Sequence, residues 1–373
     1  MRFKGAFFCL AVLVPALGWS EPYLAAWKGV NCNACHMNQT GGWLRNDFGK
    51  NYGNQLATID WQGLENAAQS AARAAAPRVA IGFDLHEAYV GTFYPKPVTN
   101  VNGFLSGSAG SNQFPNAGRQ ALEIGVNANE NVAGVLTYRL DDNQTREMYG
   151  LIKNLPEGGY LKFGKFTVPY GLELADDNSL VRSGLGFTFD NAPSEGIEAG
   201  IYPGPAFVNL AFFNGDITTS EKAFSSKAGL SGNGWAIAGS FFGQNLDLVT
   251  KSVRYGAYGW YRLAPVILLA EYDQGYDGST ATSQNNVQTY HVSAEGDLGA
   301  DCYLRLTTEW LWDSMGVNLG NGRRHVISFR CYPVHNVKFQ LDLTRVAPTT
   351  ASANYAALGA NEDMILADAY LFY

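Results

Sequence analysis

Charge is scarce in this chain, at 16% of its residues, and the net charge of −7 excludes the basic footprint that nucleic-acid binding needs. After the N-terminus there is no apolar run of roughly 20 residues, so helical membrane spans are excluded too. No period of blade or solenoid length recurs. The Ser, His and Asp residues are scattered, and no nucleophile–base constellation recommends a hydrolase or transferase. What is plentiful is glycine, with 42 residues, and aromatic side chains, at 13%. By length alone, 373 residues could form two or three soluble domains. Low charge with abundant Tyr and Phe instead suits a β-barrel that is apolar outside and polar inside.

Residues 1–20 read as a secretory signal peptide. Arg2 and Lys4 form the charged region, Phe7 to Val14 the apolar core, and Gly18 and Ser20 the small residues near the cleavage point. Cys9 lies within this segment behind Phe8 and does not read as a lipoprotein anchor. The mature chain is left with Cys32, Cys35, Cys302 and Cys331, in an exported, oxidising setting.

Cys32-Asn33-Ala34-Cys35-His36 has the spacing of a c-type haem attachment site. Two thiols add to the porphyrin vinyls and the adjoining imidazole supplies the proximal iron ligand. A redox dithiol and half of a zinc site share the Cys-x-x-Cys core. No nearby Cys pair or His cluster completes a zinc site, and no βαβ pattern surrounds the motif. Residues 21–76 are therefore expected to form a small monohaem cytochrome c segment, with an Ala-rich helix over 64–76. About fifty residues bury little apolar surface alone, so the segment needs the haem and a larger body to dock on. Trp27, Trp43 and Phe48 are candidates for haem packing, and Arg45 for a propionate contact.

From Pro77 the period changes to two. Val79, Ile81, Phe83 and Leu85 alternate with Ala80, Gly82, Asp84 and His86, as in a strand with one lipid face and one wet face. Similar stretches follow at 118–128, 132–141, 146–155, 159–168, 195–203, 206–213, 223–230, 233–243, 251–262, 265–275, 286–297, 300–312, 322–332, 336–347 and 363–373. The expected class is all-β: a transmembrane antiparallel barrel of about sixteen strands over 77–373, preceded by the small α-helical cytochrome c segment.

Connections alternate in length. Asn129 to Asn131, Pro156 to Gly159, Pro203 to Pro205, Ala264-Pro265 and Pro333 to Asn336 are short, whereas 93–117, 171–194, 214–222, 273–286 and 347–362 are long and polar. Short periplasmic turns and long extracellular loops give this rhythm. The last strand places Ile365, Ala367, Ala369, Leu371 and Tyr373 on one apolar face and Asp368 on the other. Turning 300–312 back onto 322–332 sets Leu304 opposite Phe329, Leu306 opposite Ile327 and Cys302 opposite Cys331, a geometry compatible with a disulfide. Two free thiols are the alternative.

A haem-c segment ahead of a sixteen-stranded barrel resembles the outer-membrane cytochrome–porin fusions of iron-oxidising bacteria. Their haem stretch reads Pro-x-Phe-Ala-Arg-Gln-Thr-Gly-x-x-Cys-x-x-Cys-His. Pro22, Ala25, Gly29, Cys32, Cys35 and His36 match it, while Ala26, Trp27 and Lys28 differ. Leu44 to Lys50 is similar to that family's Leu-x-x-Phe-Gly-Arg element with shifted spacing, and Gly164 to Leu172 resembles a strand-to-loop element of such porins. The resemblance implies an outer-membrane electron conduit. One covalent haem c would pass electrons between an extracellular donor or acceptor, Fe(II) in that family, and a periplasmic cytochrome or other carrier.

A passive diffusion porin, with the haem segment as plug or sensor, is the second reading; mixed charges such as Arg305, Glu309 and Arg330 suit a solute channel. A sixth haem ligand is expected from the barrel, first from His86, then His291, with His335 in a short turn. Water or an open iron position competes with all three. Asp176, Asp177, Asp190 and Glu195 are loop carboxylates able to meet a hard cation, or simply solvated.

Overall fold

A computed structural model describes residues 26, 27, 37, 79–93, 120–174, 179–185, 187, 193–214, 222–244, 252–280, 283–313, 322–334, 337–348 and 362–372. Sixteen strands run in chain order. They are β1 Val79–Phe93, β2 Gln120–Asn127, β3 Val132–Arg139, β4 Gln144–Leu155, β5 Gly159–Thr167, β6 Pro193–Ile201, β7 Ala206–Asn214 and β8 Lys222–Gly232. The second half comprises β9 Trp235–Gln244, β10 Ser252–Leu263, β11 Val266–Thr280, β12 Ser283–Gly299, β13 Cys302–Asp313, β14 Gly322–Val334, β15 Val337–Pro348 and β16 Glu362–Phe372. Each strand pairs antiparallel with its neighbours in sequence, and β1 also pairs with β16, so the sheet closes into a barrel. Closure leaves no row of unpaired backbone groups, which a wall lying in hydrocarbon requires.

Side-chain alternation assigns the two faces. Ile81, Ile197, Phe212, Ile237, Leu268, Val292, Leu306, Ile327 and Leu343 are exposed on the outer wall. An apolar exterior of this extent is the surface of a barrel in lipid rather than in water. Asp84, Glu123, Lys162, Glu198, Glu271, Glu309, Arg330 and Asp368 are buried on the inner wall. The sign of that choice is set by cost: a charge at the lipid midplane is disfavoured by about 2–4 kcal/mol for a cation, somewhat less for Asp or Glu.

The sixteen segments expected from alternation each coincide with a strand, with ends within two residues except where β11 faces β12. There the expected loop 273–286 is largely a longer hairpin, β11 reaching Thr280 and β12 starting at Ser283. Tyr272 is paired with Tyr290, Gln274 with Gln288, and Tyr276 with Asn286. Polar side chains on both faces disguise such a strand as loop, because a hairpin rising clear of the lipid has no apolar face to show. A second difference concerns 171–194, expected outside the barrel. Its described part, 171–174 with the helix α1 Leu180–Leu185 and Phe187, turns inward and occupies the lumen together with Val168 to Tyr170.

Cys302 and Cys331 are directly opposed on β13 and β14, with Leu304 opposite Phe329 and Leu306 opposite Ile327. Their Cα atoms are 4.1 Å apart and the two sulfurs form a disulfide. It lies on the outer face, at the end of the barrel that carries the short turns.

Candidate functional site

The site is built where β5 hands over to the inserted segment. Ser225 Oγ donates to the Pro169 carbonyl at 2.6 Å, and Tyr170 Oη donates to Asp273 Oδ1 at 3.0 Å. Gly171 N–H donates to Ser240 Oγ and Leu172 N–H to Glu271 Oε1, both at 2.9 Å. Gly171 has a φ of +58°, and a Cβ there would stand 1.9 Å from Glu271 Oε1, so only glycine lets the backbone approach the wall this closely. Lys227 Nζ meets Glu173 Oε1 at 3.3 Å. One short stretch is thus fastened to β8, β9 and β11, and hydrogen bonds to charged groups of this kind contribute about 1.5–3 kcal/mol each.

The second half of the segment is held on the far wall. Glu309 of β13 accepts from Ser179 Oγ at 2.6 Å and from the Leu180 N–H at 3.0 Å. The same carboxylate meets Arg324 Nη1 at 3.0 Å and His291 Nδ1 at 2.9 Å. In the ring of sixteen, β13 lies diametrically across from β5. The described parts of the segment that follows β5 therefore reach luminal side chains of β8, β9 and β11 and, separately, of β13. Arg182 Nη1 donates to the Tyr170 carbonyl at 3.0 Å and ties the two halves together. Tyr170 stacks on Phe187 at 4.5 Å, and Phe187 meets Phe242 edge-on at 5.1 Å. Polar pins at both ends and an aromatic centre make the crossing a fixed constriction.

Three residues from the N-terminal part are also inside. Trp27 Nε1 donates to Glu295 Oε1 at 2.9 Å, Arg262 Nη1 donates to the Trp27 carbonyl, and the indole lies 5.9 Å from the Tyr303 ring. Ala26 is fully buried in a cluster with Leu172, Leu174, Tyr258, Ile267 and Leu269. Met37 belongs to the cluster formed by Tyr149, Leu151, Tyr160, Phe166 and Tyr170. Trp27 sits towards the short-turn end of the lumen, where β10, β12 and β13 finish or start.

Cys32, Cys35, His36, Trp43, Arg45 and Phe48 lie outside the described residues, as do His335, Asp176, Asp177 and Asp190. His86 lies on β1 opposite Tyr370 of β16, and only its backbone is described. His291 faces the lumen, but Nδ1 is engaged by Glu309 and Nε2 by Ser293 Oγ at 3.1 Å. With both nitrogens occupied it does not present a free ligand, contrary to expectation. Glu195 is not in a loop: it is exposed on the outer face of β6, opposite Lys165. Among the expected lumen charges, Glu309 became the hub of the constriction and Arg330 binds Glu295, with Nη2 to Oε1 at 2.7 Å. Sequence reading missed Ser225, Ser240, Glu271 and Asp273 as pins. The available signal was their inward parity, together with the resemblance at Gly164 to Leu172.

No protein-family model matches the chain, and no curated protein matches it in sequence. Solved structures do match in fold. The anion-selective porin from Comamonas acidovorans is 10% identical, covering 79% of this chain and 100% of its own, with a TM-score of 0.57. OmpT of Vibrio cholerae, expressed in the outer membrane, is 10% identical over 80% of this chain and 99% of its own, also at 0.57. The outer-membrane channel DcaP of Acinetobacter baumannii is 12% identical over 79% and 97%, again at 0.57. At these identities the likeness is one of fold, a porin-like barrel.

Proposed function

We propose that the chain is a bacterial outer-membrane porin whose lumen is narrowed by the segment from Pro169 to Phe187. The observation that carries this reading is the crossing itself, pinned to Asp273 and Glu271 near one end and to Glu309 on the opposite wall. A rigid constriction at mid-lumen selects by size, and the interleaved carboxylates and cations around it favour small polar solutes without a strong preference for one charge sign. The short turns would face the periplasm and the long loops the outside. Purified full-length protein in planar bilayers should give stepwise conductance, and liposomes containing it should swell in small sugars but not large ones. Absence of both, in wild type and in Trp27→Ala, would remove the channel reading.

A second reading is favoured by one specific observation. Met37 follows His36 directly and packs among luminal side chains, and Trp27 is anchored to the wall five positions before Cys32. The donor set of two thiols and an adjoining imidazole fits a covalent haem c, with Cys32 and Cys35 holding the macrocycle and His36 the iron. Bound there, the group would supply one-electron redox chemistry. This chain's own residues would fix it: Trp27, Glu295 and Arg262 tether the segment, and the barrel keeps it out of lipid. On this reading the partners are a periplasmic electron carrier and an extracellular redox substrate such as Fe(II). The test is haem staining of the denatured protein from a host that matures cytochromes c. Stain lost in Cys32→Ala with Cys35→Ala supports the reading, and an unstained wild type ends it.

A further inference from the structure

Arg182, in α1, has only 2% of its surface exposed. Its Nη1 is engaged by the Tyr170 carbonyl, but Nε and Nη2 have no hydrogen-bond partner. Those two nitrogens form the side edge of the guanidinium, whose parallel N–H groups meet both oxygens of a carboxylate. A buried polar edge left open in this way is rare and points to a group that completes it.

The opposite charge is close by and equally incomplete. Glu271 and Asp273 occupy alternate positions of β11 and both are buried on its luminal face. Glu271 Oε1 accepts from the Leu172 N–H, while Oε2 meets no donor and stands beside the Asp273 carboxyl. Asp273 accepts only from the Tyr170 and Thr289 hydroxyls among the described residues. Two acids thus lie side by side with uncharged partners, although each carboxylate can accept about four hydrogen bonds. A Cβ on Gly171 would meet Glu271 Oε1 at 1.9 Å and Arg182 Nη1 at 3.6 Å, so the cation and the acid pair flank one turn of backbone. The Arg182 charge acts on both acids, yet its open edge is hydrogen-bonded to neither.

We propose that Arg182, Glu271 and Asp273 form a binding station for a zwitterionic α-amino acid. Its carboxylate lies on the Nε–Nη2 edge of Arg182, and its ammonium donates to Glu271 Oε2 and the adjoining Asp273. A bare carboxylate would leave the two acids facing each other, and a bare amine would leave the guanidinium edge open. Only a solute with both poles completes all three groups. The proposal rests on the porin reading and names a solute class for that same constriction. The station is closed to solvent in this structure, so the side chains around Arg182 part as the solute enters. Uptake is therefore saturable.

Full-length protein in detergent, titrated calorimetrically with alanine, propionate and ethylamine, tests the station; ion current through planar bilayers is recorded beside it. Alanine should bind one site per chain and reduce the ion current saturably. Hydrogen bonds to charged groups contribute about ten- to a hundredfold in affinity, so propionate and ethylamine should each bind weaker by that factor. Glu271→Gln keeps an acceptor for the Leu172 N–H and loses the charge, and Arg182→Lys keeps the charge and loses the fork. Each should weaken alanine binding about tenfold or more. Heat-dependent gel mobility verifies that both variants are folded barrels, and the three-solute series on wild type decides if they are not. No binding of alanine, propionate binding as tightly as alanine, or full affinity in folded Glu271→Gln overturns the station. Conductance without alanine binding overturns it and leaves the porin reading standing. Alanine binding without conductance supports the station and rejects the porin reading.

Discussion

Ser179 donates to Glu309 across 2.6 Å, a bond that joins the inserted segment to a strand on the opposite side of the barrel, 130 positions later in the chain. Glu309 also carries Leu180, His291 and Arg324, so one carboxylate closes the crossing and organises the wall behind it.

Glu309→Ala should therefore act on channel and stability together. Removing one partner of a buried ion pair costs about 3–5 kcal/mol, and the Glu309 carboxylate is the one that meets Arg324 Nη1. The expected result is a lower unfolding temperature and a larger, noisier single-channel conductance. An unchanged conductance would mean that the segment does not set the narrowest point.

Trp27→Ala removes the indole donor to Glu295 and the ring contact with Tyr303. A hydrogen bond to a charged acceptor contributes about 1.5–3 kcal/mol. Protease added on the short-turn side should cut the N-terminal part of the variant faster than that of wild type, with the barrel left intact. Equal cutting rates would show that the anchor at Glu295 is dispensable.

Reduction of Cys302–Cys331 should destabilise the barrel without altering conductance, since the bridge lies on the outer wall. Closing a loop with a sequence separation of 29 contributes at most about 3–4 kcal/mol. Cys302→Ser with Cys331→Ser should unfold at lower temperature in detergent, and reductant should have no further effect on that variant.

Asp141, in the turn between β3 and β4, gives a pH signature. Partial burial acts to raise its pKa, but the hydrogen-bonded Arg139 guanidinium outweighs this and holds the carboxyl below its ordinary value of 3.8. A depressed acid adds stability above its unfolded pKa and loses it as pH falls through the folded one. Amides of this turn should thus keep their hydrogen-exchange protection at neutral pH and lose it below about pH 4. Asp141→Asn should flatten that dependence.

The barrel was legible because alternation is local: Val79, Ile81 and their counterparts declare a face within five or six residues. The opposed positions of Cys302 and Cys331 follow from counting alone, once Leu304 and Phe329 are recognised as partners. The constriction was not legible, because nothing near Gly171 says that Ser240 and Glu271 will be there to receive it. Those contacts are made by residues far along the chain whose own strands read as ordinary wall. The hairpin at Tyr272 to Tyr290 was hidden for the opposite reason: its strands lack the apolar face on which the reading depends. His291 looked like a free ligand because a sequence shows its inward parity but not its neighbours Glu309 and Ser293.

The seam between the first and last strands has a kinetic consequence. Asp84 pairs with Phe372 and Phe93 with Asp363, so the earliest strand has no partner on one edge until the final one has been delivered. Contacts so distant in sequence make the closing step slow, since the whole intervening chain must be ordered before they form. Until then β1 keeps a bare edge, the kind of surface on which other chains add strands and aggregate. The pairing of β1 with β16 is accordingly the step that ends this exposure.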